Sequence, residues 1–169
     1  MAFWLGDALR GTGCLLGSAC PIPIEASEGF SALNVRSALA GVSADEVDFL
    51  FDVPPVADRA RDARWRQVVW YCHARGALAG AQFVARGSGR PELLAAVERA
   101  CALGFDYVTL DFGDGATSAC DAAALVIAAR ELAEERSEVR AACGADVGLA
   151  KIFVSEGAAS VGVDARRLL

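Results

Sequence analysis

Lysine is almost missing from this chain. Of sixteen basic side chains, fifteen are arginines and one is Lys151. Chemistry that needs a primary amine therefore has one internal candidate besides the terminal amine. Histidine occurs once, at His73, so a zinc site lacks clustered ligands, and nothing in the placement of Ser88, His73 and Asp111 supports a nucleophile triad. No cysteine pair has C-x-x-C spacing. Cys14, Cys20, Cys72, Cys101, Cys120 and Cys143 are spread through apolar patterns, which predicts free thiols. No run approaches the roughly 20 apolar residues of a membrane span. The densest basic stretch, RARDARWR at 59–66, is interrupted by Asp62 and preceded by Asp58, in a chain of net charge −6. Sequence-independent nucleic-acid binding needs a basic face and is excluded on that ground. No G-x-G-x-x-G follows the first strand, and RGSGRP at 86–91 is a poor phosphate loop, so neither a cofactor nor a metal is predicted.

The 169 residues suit one domain with a sizeable core. Apolar residues make up 54% and charged residues 22%, the balance of a folded chain with some surface left for a partner. Residues 1–13 read as an N-terminal segment and 14–169 as the domain. The start is a poor match to a secretory or mitochondrial leader. Free thiols then predict a reducing compartment, the cytoplasm, with an organelle matrix as the alternative.

Residues 14–24 begin as a strand that Pro21 and Pro23 end. A helix is predicted over 27–41, a strand over 45–53, and a helix from Asp58 to about Leu78 with Trp65, Val68, Val69 and Cys72 on one stripe. A strand at 79–87 follows, then a helix entered at Pro91 and stopped at Gly104, and a strand at 105–113. A long alanine-rich helix is predicted over 118–142, a strand over 147–154, and a last helix over 164–169. Strict alternation of strand and helix implies a parallel sheet with helices outside it, either an open α/β sheet or part of a barrel.

In such folds sites gather at the carboxyl ends of the strands. Period-two alternation puts Asp48 on one face with Glu46 and Asp52, and Thr109 with Asp111. The strand at 79–87 ends near Arg86, and Lys151 leads into the turn Ser155-Glu156-Gly157. A lysine desolvated inside a strand is a neutral nucleophile towards a carbonyl, and a nearby carboxylate such as Asp48 could move the protons. The plain alternative is a strand-end lysine with its head in water or paired with Glu156. Trp65, Trp70 and Tyr71 read as core or as a partner face. Glu134, Glu135 and Glu138 with Arg130, Arg136 and Arg140 read as a solvated helix face.

Taken in order, SADEVDFLF (43–51), PELLAAVERACALGFDYVTLDFGDGATS (91–118) and VGLAKIFVSEGAAS (147–160) resemble the deoxyribose-phosphate aldolase family, class I aldolases built on a TIM barrel. CPIPIEASEGFSALNVRSAL (20–39) is similar to that family's Phe-Pro turn and following helix, and the likeness is colinear over roughly 14–160. Type I dehydroquinate dehydratase is a more remote likeness. The resemblance implies a partial or degenerate TIM barrel of the aldolase type, lacking the first two β/α units and the last. It implies proton transfer at Asp48, a second active-site lysine at Lys151, and a phosphate turn at Ser155-Glu156-Gly157. The family's imine lysine falls on Thr109, which cannot form one, and Glu156 puts an acid where a phosphate would sit.

Two functions follow as expectations. One is an aldolase-like lyase acting on a small (phospho)sugar aldehyde: Lys151 forms the imine, Asp48 moves protons, Thr109 and Asp111 orient substrate, and Ser155, Gly157 and Arg86 bind it. The other is an inactive aldolase-fold subunit whose open strand edges are covered by protein partners in a homo- or hetero-oligomer.

Overall fold

A computed structural model describes residues 2–6, 22–24, 49–53, 55, 58–74, 76, 78–85, 89–113, 117–144 and 146–164. Asp48, Arg86 and the helix predicted over 27–41 lie outside these residues.

The described strands are β1 (Ala2–Gly6), β2 (Ile22–Ile24), β3 (Phe49–Asp52), β4 (Ala79–Val84), β5 (Tyr107–Asp111), β6 (Glu138–Ala142) and β7 (Ser160–Asp164). The helices are α1 (Arg59–His73), α2 (Arg90–Leu103), α3 (Ala119–Ala133) and α4 (Val147–Ser155). The sheet order is β1-β7-β6-β5-β4-β3-β2. From β2 to β7 every strand lies parallel beside its successor, while β1 joins β7 antiparallel. Strands that advance one place at a time through right-handed crossovers carry all their helices on one face. This is barrel winding, and the chain is a partial α/β barrel.

Capping explains where the helices begin. The Asp58 carboxylate accepts the Ala60 and Arg61 N–H groups ahead of α1, Ser118 accepts Asp121 N–H ahead of α3, and Asp146 accepts Leu149 N–H ahead of α4. Pro91 sits in the first turn of α2, and Gly104 ends that helix at φ 91°, a left-handed conformation that favours glycine. Trp65, Val68, Val69 and Cys72 are the buried residues of α1, as their spacing predicts.

The helix-covered face of the sheet is apolar row by row. Ala81, Val108 and Val139 are in register, as are Phe83, Leu110, Ala141 and Val161, and all are buried. Trp65 meets Phe105 at 5.9 Å between ring centroids, and Phe112 meets Phe153 at 4.8 Å. Such pairs add ~1 kcal/mol each beyond the area they bury.

Several elements differ from their sequence reading. Pro23, expected to end a strand, lies inside β2 at an edge of the sheet, and β1, from the segment read as lying outside the domain, joins the sheet beside β7. Residues 118–142 are a helix to Ala133, a turn, and strand β6. The stretch EVRAA alternates apolar and polar at period two, but its alanine and arginine are also good helix formers, and only its place between β5 and β7 decides. Residues 147–154 are not a strand but belong to α4. A short apolar run cannot distinguish strand from buried helix by periodicity, and here Asp146 caps a helix. The strand that follows is SVGVD at 160–164, so the helix predicted from 164 does not begin there.

Candidate functional site

The face of the sheet away from the helices is polar. Asp52, Gln82, Thr109, Arg140 and Ser160 occupy one register row across five consecutive strands. The row before it holds Gly80, Tyr107 and Glu138, and the row after it Val84, Asp111 and Ala142. In a complete barrel these rows are the layers that fill the interior.

The lower rows are filled by the protein itself. Tyr107 is fully buried, and its ring lies across β4, so that a β-carbon at Gly80 would overlap the ring. The Arg140 guanidinium stacks on that ring with its carbon 3.5 Å from the centroid, a cation–π contact in a desolvated place. Its Nη2 donates to Glu138 Oε2 at 3.1 Å. Beside this stack Thr109 is fully buried, and its hydroxyl has no hydrogen-bond partner among the described residues.

Towards the carboxyl ends the face opens. Val84 is 49% exposed and Asp111 half-buried. Asp111 Oδ1 accepts the Gly113 N–H at 2.9 Å, which closes the turn after β5. After β6, the Cys143 thiol donates to Gly162 O at 3.4 Å. Burial, helped by the charges of Asp146 and Asp111, pushes its pKa up to about 11. The N-terminus of α4 at this end is capped by Asp146, so an incoming anion would meet a carboxylate already on the helix dipole.

Of the residues expected to form a site, Asp48 and Arg86 lie outside the described residues, and the described ones fall at two ends of the sheet. Thr109 and Asp111 share the polar face. Lys151 does not lie in a buried strand; it is an exposed residue of α4, so the argument from desolvation does not apply to it. Ser155 and Gly157 end α4 and therefore lie at the amino ends of the strands, opposite Asp111. The Ser155 hydroxyl donates to Ile152 O at 2.7 Å, and Gly157 adopts φ 82° against the Arg130 guanidinium, whose Nη1 donates to Glu156 O at 2.7 Å. That turn closes a helix and is not the strand-to-helix turn the resemblance implied. A cavity of about 370 Å³ opens at the same end, lined by Asp106, Glu134 and Glu138 with Arg130 and Arg136. His73 Nε2 lies 2.8 Å from Asp106 Oδ2, which also accepts Ala79 N–H at 2.7 Å, so this pair pins α1 to β4 and β5.

Sequence reasoning missed Tyr107 and misplaced Arg140, which points to the polar face and not to solvent. The signal was the Glu138-Val139-Arg140-Ala141 alternation. The strand that follows Thr109's is β6, and the residue in register with Thr109 is Arg140.

Known proteins place the fold. No protein-family model and no curated protein matches the sequence. Among solved structures, the chain is similar to QR15, an aldolase of TIM-barrel type, at a TM-score of 0.65 and 17% identity over 86% of this chain and 66% of that one. It is similar to the carboxyl transferase domain of Rhizobium etli pyruvate carboxylase at 0.62 and 15%, covering 86% of this chain and 26% of that one. A third likeness is to DHODH from Eimeria tenella, at 0.54 and 11%, covering 75% of this chain and 46% of that one. These likenesses show an aldolase-type α/β fold. The chain spans 66% of the aldolase's length, just under two thirds.

Proposed function

We propose that this chain is an aldolase-fold subunit that works by binding and not through a lysine imine. One observation carries the reading: Thr109 stands on the polar face where the resemblance puts the reactive lysine, while the only lysine of the chain is exposed on α4. An imine forms when a neutral primary amine attacks a carbonyl. Thr109 offers a hydroxyl there, and its row neighbour Arg140 offers a guanidinium held on Tyr107 and Glu138. Arginine stays charged at any physiological pH and cannot serve as the nucleophile.

The filled lower rows support the same reading. A barrel enzyme keeps an open mouth above its packed layers and places convergent groups there. Here the described groups at the mouth are an acid already engaged in a turn, a buried thiol and an apolar side chain. The partners implied are protein chains that cover the surface and edges of the partial barrel.

Borohydride trapping tests this. The protein is incubated with small aldehydes and phosphosugars, reduced, and weighed intact, beside a Lys151→Arg control. The expected result is no adduct that depends on Lys151. A Lys151-dependent mass shift at neutral pH would restore the lyase reading, with Asp48 as the proton-transfer residue to examine next.

A further inference from the structure

The outer face of α1 carries cationic charge that the described acids do not match. Asp58 is engaged as the helix cap and lies 3.5 Å from Arg61, and Asp62 is paired with Arg99. Arg64 acts together with Arg61 on the Asp58 carboxylate, while Arg59 and Arg66 are exposed and have no hydrogen bond or ion pair among the described residues. On the same helix Trp70 is 68% exposed. Arg59, Ala63, Arg66 and Trp70 are spaced at i, i+4, i+7 and i+11, so they form one stripe. An exposed tryptophan flanked by arginines is the composition of an interface centre, not of ordinary surface.

A complementary stripe lies on the same molecule. Ile127 of α3 is 37% exposed, Glu131 follows it by one turn, and Glu134 and Glu135 follow at the end of the helix, all exposed. Laid antiparallel, the two stripes match at two successive positions: Trp70 opposite Ile127 and Arg66 opposite Glu131. The four-residue step from Arg66 to Trp70 equals that from Glu131 to Ile127, about 6 Å at the helical rise. In one chain the stripes cannot meet, because α2 packs between α1 and α3 in the same layer.

We infer that α1 of one copy docks antiparallel on α3 of a second copy, with Trp70 and Arg66 as the centre of the contact. Where a twofold relates the two copies, α1 of each meets α3 of the other and the interface is isologous, closing a dimer; any other rotation makes the contact heterologous and gives a ring or a filament. The inference adds a partner to the binding-subunit reading but stands apart from the imine question, since association and amine chemistry are read by separate experiments.

Sedimentation velocity on the full chain over a range of concentration and salt tests it. Association is expected at low salt and weakens as salt screens the arginine–glutamate pairs. Arg66→Glu, Trp70→Ala and Glu131→Arg are each expected to weaken it about tenfold or more while leaving the circular dichroism spectrum unchanged. Mixing Arg66→Glu with Glu131→Arg protein should recover association, because Glu at 66 then faces Arg at 131. A chain that stays monomeric at low salt overturns the inference. So does an oligomer that neither Arg66→Glu nor Trp70→Ala weakens.

Discussion

At Gly80 one missing β-carbon makes room for the Tyr107 ring, and the ring in turn carries the Arg140 guanidinium. Gly80→Ala should therefore cost ~1–3 kcal/mol, the range for overpacking, because the obstacle is a rigid ring in a filled row. Urea unfolding followed by circular dichroism would show it as a lower midpoint at unchanged slope. An unchanged midpoint would mean that the stack is loose. Single residues were legible unevenly. That Thr109 and Asp111 share a face follows from strand alternation alone, because side chains two apart point the same way. That Thr109 lies beside Arg140 does not follow, since register between strands is a property of pairing. Lys151 shows the reverse case: a lone amine in an apolar run invites a buried-strand reading, and the run belongs to a nine-residue helix on which Lys151 faces out.

Among elements, the region after α3 holds the sharpest local conflict. Glu134 ends the helix at φ 51° and ψ −129°, a conformation that glycine takes freely and a glutamate pays for at ~1–3 kcal/mol. Its ion pair with Arg136, at 3.8 Å and well exposed, offers little in return. Glu134→Gly is expected to raise stability by ~1 kcal/mol, read as a higher unfolding midpoint in high salt. A lower midpoint would show that the side chain contributes more than the strain removes. The same turn explains why 118–142 reads as one helix. No glycine or proline marks the stop, and the sheet forces the chain to leave the helix in time to enter β6. Where an explicit signal exists, as with Asp58, Pro91, Gly104 and Ser118, helix ends are legible. Asp146 gives the same signal ahead of α4, and there the apolar run outweighs it.

For the whole molecule, buried thiols set an alkaline limit. Burial raises Cys72 from 9.0 to about 12 and Cys143 from 9.0 to about 11. Above pH 9 the unfolded chain gives up thiol protons that the native chain keeps, so native stability is full below pH 9 and falls as pH rises towards 11 and 12. Denaturant midpoints should hold from pH 8 to about 9 and decline above it, and a Cys72→Ser, Cys143→Ser variant should decline less steeply. A flat profile for the parent would show that the thiols ionise alike in both states.

The alternation of apolar strands with capped amphipathic helices determined the α/β class and the parallel sheet, because those follow from periodicity and from the handedness of crossovers, while the barrel winding was decided by the strand order. It also determined that only one internal amine was available. Only the tertiary structure decided where that amine sits, that EVRAA is a strand, and that β1 runs antiparallel along β7. The reason is the range of the forces concerned. Periodicity and caps act within one element, whereas register, edge pairing and the packing of Tyr107 over Gly80 depend on residues brought together from different parts of the chain.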